Sequence, residues 1–156
     1  TRAADSCSVT GASDVIGQTE GTLFAEVEKL ADGYWYLTIS DGTSSNWIFI
    51  GEDEGKMRAY VRTSAGVQTD NRSADLSVGV HKMAIAYKLN NVAIYLDGAQ
   101  VFTDNAANMP TLLDKISLTG GAAGVPASQT LKGALKQYAL FNERLSNTEL
   151  ATLTTL

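Results

Sequence analysis

The stretch VGVHKMAIAYKLNNVAIYLDGAQV, Val78 to Val101, decides the fold. Met83, Ile85, Tyr87 and Leu89 share one parity, and Lys82, Ala84, Ala86 and Lys88 share the other. A strand sends successive side chains to opposite faces, so this alternation predicts a strand with one face on a core. Asn90-Asn91 follows where a two-residue turn needs positive φ, a backbone region that asparagine tolerates best after glycine. The alternation resumes at Val92, Ile94 and Leu96, and Asp97-Gly98 gives a second tight turn into Ala99 and Val101. The expectation is three antiparallel strands joined by two hairpins.

The same period extends outward in both directions. Leu23, Ala25 and Val27 alternate with Phe24, Glu26 and Glu28, and Trp35, Leu37 and Ile39 alternate with Tyr36, Thr38 and Ser40. Turn signals at Asp32-Gly33, Asp41-Gly42, Gly51 to Gly55, Ala65-Gly66 and Gly120-Gly121 recur at roughly the 8–12-residue spacing of an all-β sandwich or barrel. Gly120 to Ser128 and Asp104 to Thr111 read as the loosest loops. The apolar parity at Leu131, Gly133 and Leu135 slips to Tyr138 and Leu140, which predicts a one-residue bulge at Lys136-Gln137. Ser146-Asn147-Thr148-Glu149 is a capping box, and Leu150 and Leu153 follow at helical spacing, so a short helix closes the chain.

Composition narrows the function classes. The chain has 156 residues, about one domain's worth, and 17 acidic against 12 basic residues leave a net charge of −5. That balance argues against a phosphate backbone or an anionic membrane surface as the main partner. The longest apolar runs, Met83 to Tyr87 and Val92 to Leu96, are too short for a membrane-spanning helix. One cysteine, Cys7, makes no internal disulfide, and one histidine, His81, builds no multi-histidine metal site. A start at Thr1 without methionine reads as a fragment or a processed product.

The residues are specific enough to carry a resemblance. Gly79, His81, Tyr95, Asp97 and Gly98 match the Gly-x-His lead-in and Tyr-x-Asp-Gly turn in the central hairpins of laminin-G-like, concanavalin A-like jelly rolls. Leu131 to Leu153 resembles the closing strand and capped helix of that family, through Gly133, Asn142, Leu145, Ser146 and Glu149. Thr1 to Val27, with its Thr-Arg-Ala-Ala-Asp string and Glu-Gly-Thr-Leu run, resembles the opening of jelly-roll domains in bacteriophage tail fibres and tail spikes. The resemblance implies an all-β, concanavalin A-like jelly-roll sandwich of two antiparallel sheets with a short C-terminal helix, one domain over residues 1–156. It further implies the C-terminal part of a longer, homotrimeric fibre on the virion, placed distally and touching bacterial surface polysaccharide, with no nucleic acid and no membrane insertion. The alternative role is a structural domain that caps or assembles the fibre without binding a receptor.

A jelly roll hosts lectins and hydrolases alike, so the chemistry has to come from the residues. Retaining glucanases on this fold aim paired carboxylates into one cleft. Here Glu52-Asp53-Glu54 sits between Gly51 and Gly55 and reads as a solvated hairpin tip. Glu26 and Glu28 share a strand face without aromatic or basic company in sequence and read as a polar outer face. His81 reads as a packed structural histidine and Cys7 as a small apolar strand residue. No enzymatic activity is expected. Thr69-Asp70-Asn71, Asp104-Asn105 and Asp41-Gly42 carry calcium-type oxygens at no fixed spacing, so no cofactor is expected, with a loop-bound calcium left open.

Sugars stack their C–H faces on aromatic rings while Asp, Asn and Arg bridge the hydroxyls. By parity Trp35 points inward, which leaves Tyr34 and Tyr36 outward. Trp47 shares parity with Phe49 after the polar loop Asp41 to Asn46, and falls either in the core or at its rim. The segment Thr69 to Asp75 reads as a polar loop suited to hydroxyls or a carboxylated sugar. The expected glycan-binding set is Tyr36, Asp41, Asn46, Trp47, Asp70, Asn71 and Arg72.

Overall fold

The computed structural model describes residues 7–72, 74–118 and 131–156. The Thr1–Asp5 string, Ser73 and the Gly120–Ser128 loop lie outside the described residues. Eleven strands and one helix make two antiparallel sheets. The strands are β1 (Ser8–Thr10), β2 (Glu20–Lys29), β3 (Tyr34–Ser40), β4 (Trp47–Asp53), β5 (Lys56–Thr63), β6 (Gly66–Asn71), β7 (Gly79–Lys88), β8 (Val92–Leu96), β9 (Ala99–Asp104), β10 (Lys115–Ser117) and β11 (Gly133–Phe141), followed by α1 (Asn147–Thr154). The six-stranded sheet runs β1-β10-β3-β4-β5-β6, and the five-stranded sheet runs β11-β2-β7-β8-β9.

The inward parities meet in one core. Leu23, Val27, Met83, Ile85 and Ile94 from the five-stranded sheet pack against Trp35, Leu37, Ile48, Ile50 and Val61 from the six-stranded one. The five-stranded sheet also has an apolar outer patch of Phe24, Ala84, Ala86, Ala93 and Tyr95, which Leu150 of α1 covers. The alanines on the polar parity of β7 therefore lie under a helix, where small side chains let it approach. Ser146 caps α1 in a reciprocal capping box with Glu149. The bulge lies between Leu135 and Gln137, as the parity slip requires.

The three central strands pair as expected, with one difference at the first turn. The connection is Leu89-Asn90-Asn91, and only Asn90 takes positive φ, at 55°. Asn90 N–H donates to Ala107 O at 2.9 Å and Asn91 N–H to Lys88 O at 2.9 Å. Because β7 stops at Lys88, Leu89 leaves the core parity and is 57% exposed. The second turn, Asp97-Gly98, has φ of 49° and 82°, the paired positive values of a tight hairpin.

Asp97 also explains the histidine. Its Oδ2 lies 2.7 Å from His81 Nδ1, and its Oδ1 accepts from Lys82 N–H at 2.9 Å. His81 Nε2 lies 2.9 Å from Ser77 O and 3.4 Å from Ser77 Oγ. The Ser-His-Asp order is that of a hydrolase triad, but Nε2 is engaged by a carbonyl oxygen rather than free to take the hydroxyl proton. The set ties the second turn to the start of β7. Asp97→Ala is therefore expected to lose about 2 kcal/mol by removing the bonds to the buried His81 ring and to the Lys82 backbone, measured by urea denaturation, while Asp97→Asn loses less.

Two charged groups lie where parity demanded apolar ones. Lys29 continues the inward stripe of β2 and is 2% exposed; Glu52 continues that of β4 and is fully buried. Lys29 Nζ lies 2.7 Å from Asp32 Oδ1 and 3.3 Å from Glu52 Oε1, and donates to Leu76 O. Gly33 N–H donates to Glu52 Oε1 at 3.1 Å, while Glu52 Oε2 has no partner. Burial alone would pull the Lys29 ammonium down, but Asp32 and Glu52 outweigh it and hold it raised. The Glu52-Asp53-Glu54 run is thus not a solvated tip. Only Glu54, at φ 49°, occupies the turn, whereas Glu52 faces the core and Asp53 pairs with Arg58 at 2.8 Å.

Candidate glycan-binding face

The outward parities of the six-stranded sheet build a second aromatic layer. Register aligns Thr38, Phe49, Tyr60 and Asp70 in one row across β3 to β6, and Ser40, Trp47, Arg62 and Val67 in the next. Phe49 is the hub. Its ring centroid lies 4.3 Å from Tyr36, 5.2 Å from Trp47 and 5.0 Å from Tyr60, stacked on the last at 11°. The Arg58 guanidinium lies over Phe49 at 5.7 Å and over Tyr60 at 5.4 Å.

This layer corrects one expectation. Tyr36 points outward, as parity required, yet it is 4% exposed because Phe49 packs against it. It forms the floor and offers no free ring face. Burial, followed by the nearby Asp53 charge, pushes its hydroxyl pKa up. Beside it Gly51 is bare for a reason: a Cβ there would come within 1.9 Å of the Trp35 carbonyl oxygen.

The expected set separates into two ends of this face. At the end formed by the β4–β5 turn, Arg58 forks onto Asp70 through Nε and Nη2 at 2.9 Å each and reaches Asp53 with Nη1 at 2.8 Å. Arg72 donates to the Asp53 carbonyl and to Glu54 Oε2 at 3.0 Å. The Arg58 pKa is raised, first by its hydrogen bond to Asp70. Tyr34 donates to Glu54, and that bond pushes its hydroxyl up to about 12. Asp70 and Arg72 are therefore committed to a protein ion network.

Asn71 departs furthest from its expected place. Thr69 to Asn71 belong to β6 rather than to a loop, and Asn71 faces inward opposite Ala59, 7% exposed. The shift in register between Val61 and Arg62 makes Gln68 the extra residue and sets this parity.

The other end keeps Asp41, Asn46 and Trp47 together. The β3–β4 loop folds on Asp41, whose Oδ1 accepts from Thr43 N–H at 2.8 Å and whose Oδ2 accepts from Asn46 Nδ2 at 2.9 Å. Burial would raise the Asp41 carboxyl, but these donors outweigh it and lower it. Asn46 Oδ1 accepts from Ser64 N–H at 3.2 Å, joining the loop to the β5–β6 turn. Trp47 stands between them, partly exposed at the rim of the aromatic layer.

Arg62, which the sequence reading did not single out, completes this end. It is the register partner of Trp47. Trp47 Nε1 and Arg62 Nε are both buried N–H donors with no acceptor. Both nitrogens are closed off from solvent, while each side chain as a whole stays partly exposed. The signal available in sequence was the alternation Arg58-x-Tyr60-x-Arg62.

The calcium-type oxygens meet at one pair and are otherwise held apart. Asp104 Oδ2 accepts from Thr69 Oγ1 at 2.8 Å, while Asp70 and Asp41 are held by the groups above. Among the described residues no three His, Cys, Asp or Glu side chains converge on a metal-sized site. Glu26 lies opposite Lys82, and Glu28 pairs with Lys136 at 3.3 Å, on the outer face of the five-stranded sheet.

The profile of the concanavalin A-like lectin/glucanases superfamily matches residues 5–151. The chain belongs to this superfamily. The two-sheet architecture is shared with a carbohydrate-binding module, CBM40, of the Ruminococcus gnavus intramolecular trans-sialidase, at TM-score 0.75 and 17% identity over 93% of this chain and 88% of that one. The same module bound to α2,3-sialyllactose superposes at TM-score 0.76 and 13% identity over 99% and 100%. Domain 4 of AbnA, an extracellular arabinanase from Geobacillus stearothermophilus, in complex with arabinotriose, superposes at TM-score 0.70 and 14% identity over 90% and 69%. At these identities the likeness is one of fold. No curated protein matches the chain in sequence.

Proposed function

We propose that this lectin-like jelly roll binds carbohydrate at the Trp47 end of its six-stranded sheet without cleaving it. The observation that carries the reading is the partly exposed Trp47 side chain beside its partly exposed register partner Arg62, which no acid of the described residues pairs, with the Asp41–Asn46 loop at its edge. A sugar ring stacked on the indole gains from apolar contact while its oxygens accept from the neighbouring guanidinium and the polar loop. Fold relatives solved with sialyllactose and with arabinotriose support a saccharide as the ligand class.

The finer reading is the receptor-binding tip of a bacteriophage tail fibre, distal on the virion, engaging bacterial surface polysaccharide as a homotrimer. It rests on the resemblance of Thr1 to Val27 to the opening of fibre domains. A single shallow contact of this kind holds about 4 kcal/mol, in the millimolar range. Three linked copies raise the avidity by roughly 10²–10⁴.

The test is binding of the labelled domain, displayed on a trimeric scaffold, to a panel of bacterial strains before and after their surface polysaccharide is stripped. Binding lost on stripping, and cut roughly ten-fold or more by Trp47→Ala, is expected. Equal binding to stripped cells would overturn the glycan reading in favour of a protein receptor. No binding to any strain would favour the structural, fibre-assembling role.

A further inference from the structure

We infer that the saccharide bound at Trp47 is acidic, with a carboxylate seated on Arg62; this rests on the carbohydrate-binding reading above. The fold does not choose between neutral and charged sugars, so the choice falls to the side chains on the face. Of the eleven lysines and arginines among the described residues, six are ion-paired, Lys29 among them. Arg58 is held by Asp53 and Asp70, Arg72 by Asp53 and Glu54, and Lys56 by Asp75. Lys88 pairs with Glu20 and Lys136 with Glu28.

Arg62 is different. Its guanidinium makes no ion pair and no hydrogen bond among the described residues, and its Nε is buried without an acceptor. Lys115 lies in the same ladder row, joined through Ser40 to Trp47, and is likewise unpaired. Neighbouring strands lie about 4.8 Å apart, so Arg62 and Lys115 bracket Trp47 along a row roughly 14 Å long, the span of two to three sugar rings. Two acids adjoin this row in sequence: Asp41 has both oxygens occupied by Thr43 and Asn46, and Asp114, beside Lys115, accepts from Gly11 N–H through Oδ2. A guanidinium that no protein acid pairs is stabilised most by a carboxylate, which accepts in the plane of the fork.

Three features follow for the ligand. It presents a carboxylate next to a ring with an apolar face, as sialic and uronic acids do. Its affinity falls with salt, because the pair sits near the surface. Capping the carboxylate as a methyl ester removes the recognition while leaving the ring face intact.

The experiment is a printed array of sialylated, uronic-acid and neutral oligosaccharides probed with the multivalent domain at low and high salt. The expected result is binding confined to carboxylate-bearing glycans, lost on their methyl esterification. Arg62→Gln is expected to lower it roughly ten-fold or more, while Lys136→Gln, on the opposite sheet, leaves it unchanged. Binding of neutral glycans that Trp47→Ala abolishes would overturn the acidic assignment and keep the carbohydrate reading. Wild-type binding by a folded Arg62→Gln protein would overturn it as well, and a blank array would overturn both. Circular dichroism of each variant separates a lost contact from a lost fold.

Discussion

Lys29→Met is expected to destabilise the domain by about 3–5 kcal/mol, a large part of the roughly 5–15 kcal/mol that holds a domain of this size together. The ammonium bridges the two sheets at their shared end, touching Glu52 from β4, Asp32 and the Leu76 carbonyl. Methionine of similar length fills the space but leaves the fully buried Glu52 carboxylate facing a carbonyl and one backbone N–H. Removing one member of a buried pair costs far more than the pair itself contributes, because the survivor stays desolvated. The double change Lys29→Met with Glu52→Leu is accordingly expected to recover most of the loss. Urea denaturation of the three variants, compared at their midpoints, measures this. A single variant as stable as the double one would show that water reaches Glu52 once the lysine is gone.

Phe49→Ala is expected to cost about 3–5 kcal/mol as well, through a different mechanism. Phe49 is 2% exposed on what is nominally the outer face, in contact with three rings and under the Arg58 guanidinium. Its removal opens a cavity that Tyr36 and Tyr60, fixed by their strands, cannot close. It also removes the wall against which Trp47 stands, so saccharide binding is expected to fall with it even at temperatures where the variant stays folded. Phe49→Leu, which keeps most of the volume, should retain most of the stability. Thermal melts and binding measured on the same samples separate the two effects.

The hairpins, the bulge and the capping box were legible because each is written in neighbouring residues: alternating parity, Asp97-Gly98, the slip after Leu135, and Ser146 with Glu149. What was not legible depends on strands meeting. Parity already placed Glu52 with Ile48 and Ile50 on the inward side, but three consecutive acids between glycines outweighed it. The partner that makes burial tolerable, Lys29, lies on the other sheet. Tyr36 was read correctly for direction and wrongly for exposure, since its cover comes from Phe49 on the next strand. Asn71 sits in a run of turn-forming residues, and only pairing with β5 turns that run into a strand and Asn71 inward. Of the binding set, Asp41, Asn46 and Trp47 stayed together because one short loop carries them all. Arg62 was missed because its meaning comes from its register with Trp47.

The pairing of β2 sets the order in which the protein can be made. β2 lies between β7 and β11, and its residues from Thr22 to Lys29 pair with Gly133 to Phe141, more than a hundred positions later. Thr22 Oγ1 then donates to Glu143 O and accepts from Leu145 N–H, fastening the same strand to the chain just before α1. A ribosome releasing this chain therefore holds an early strand with one open edge until β11 has emerged, more than a hundred residues later. Contacts this distant in sequence make folding slow, and an open apolar edge invites pairing with a neighbouring nascent chain. On a polysome, where copies emerge side by side, the C-terminal strand acts as the molecule's own chaperone, closing the edge that would otherwise recruit a stranger.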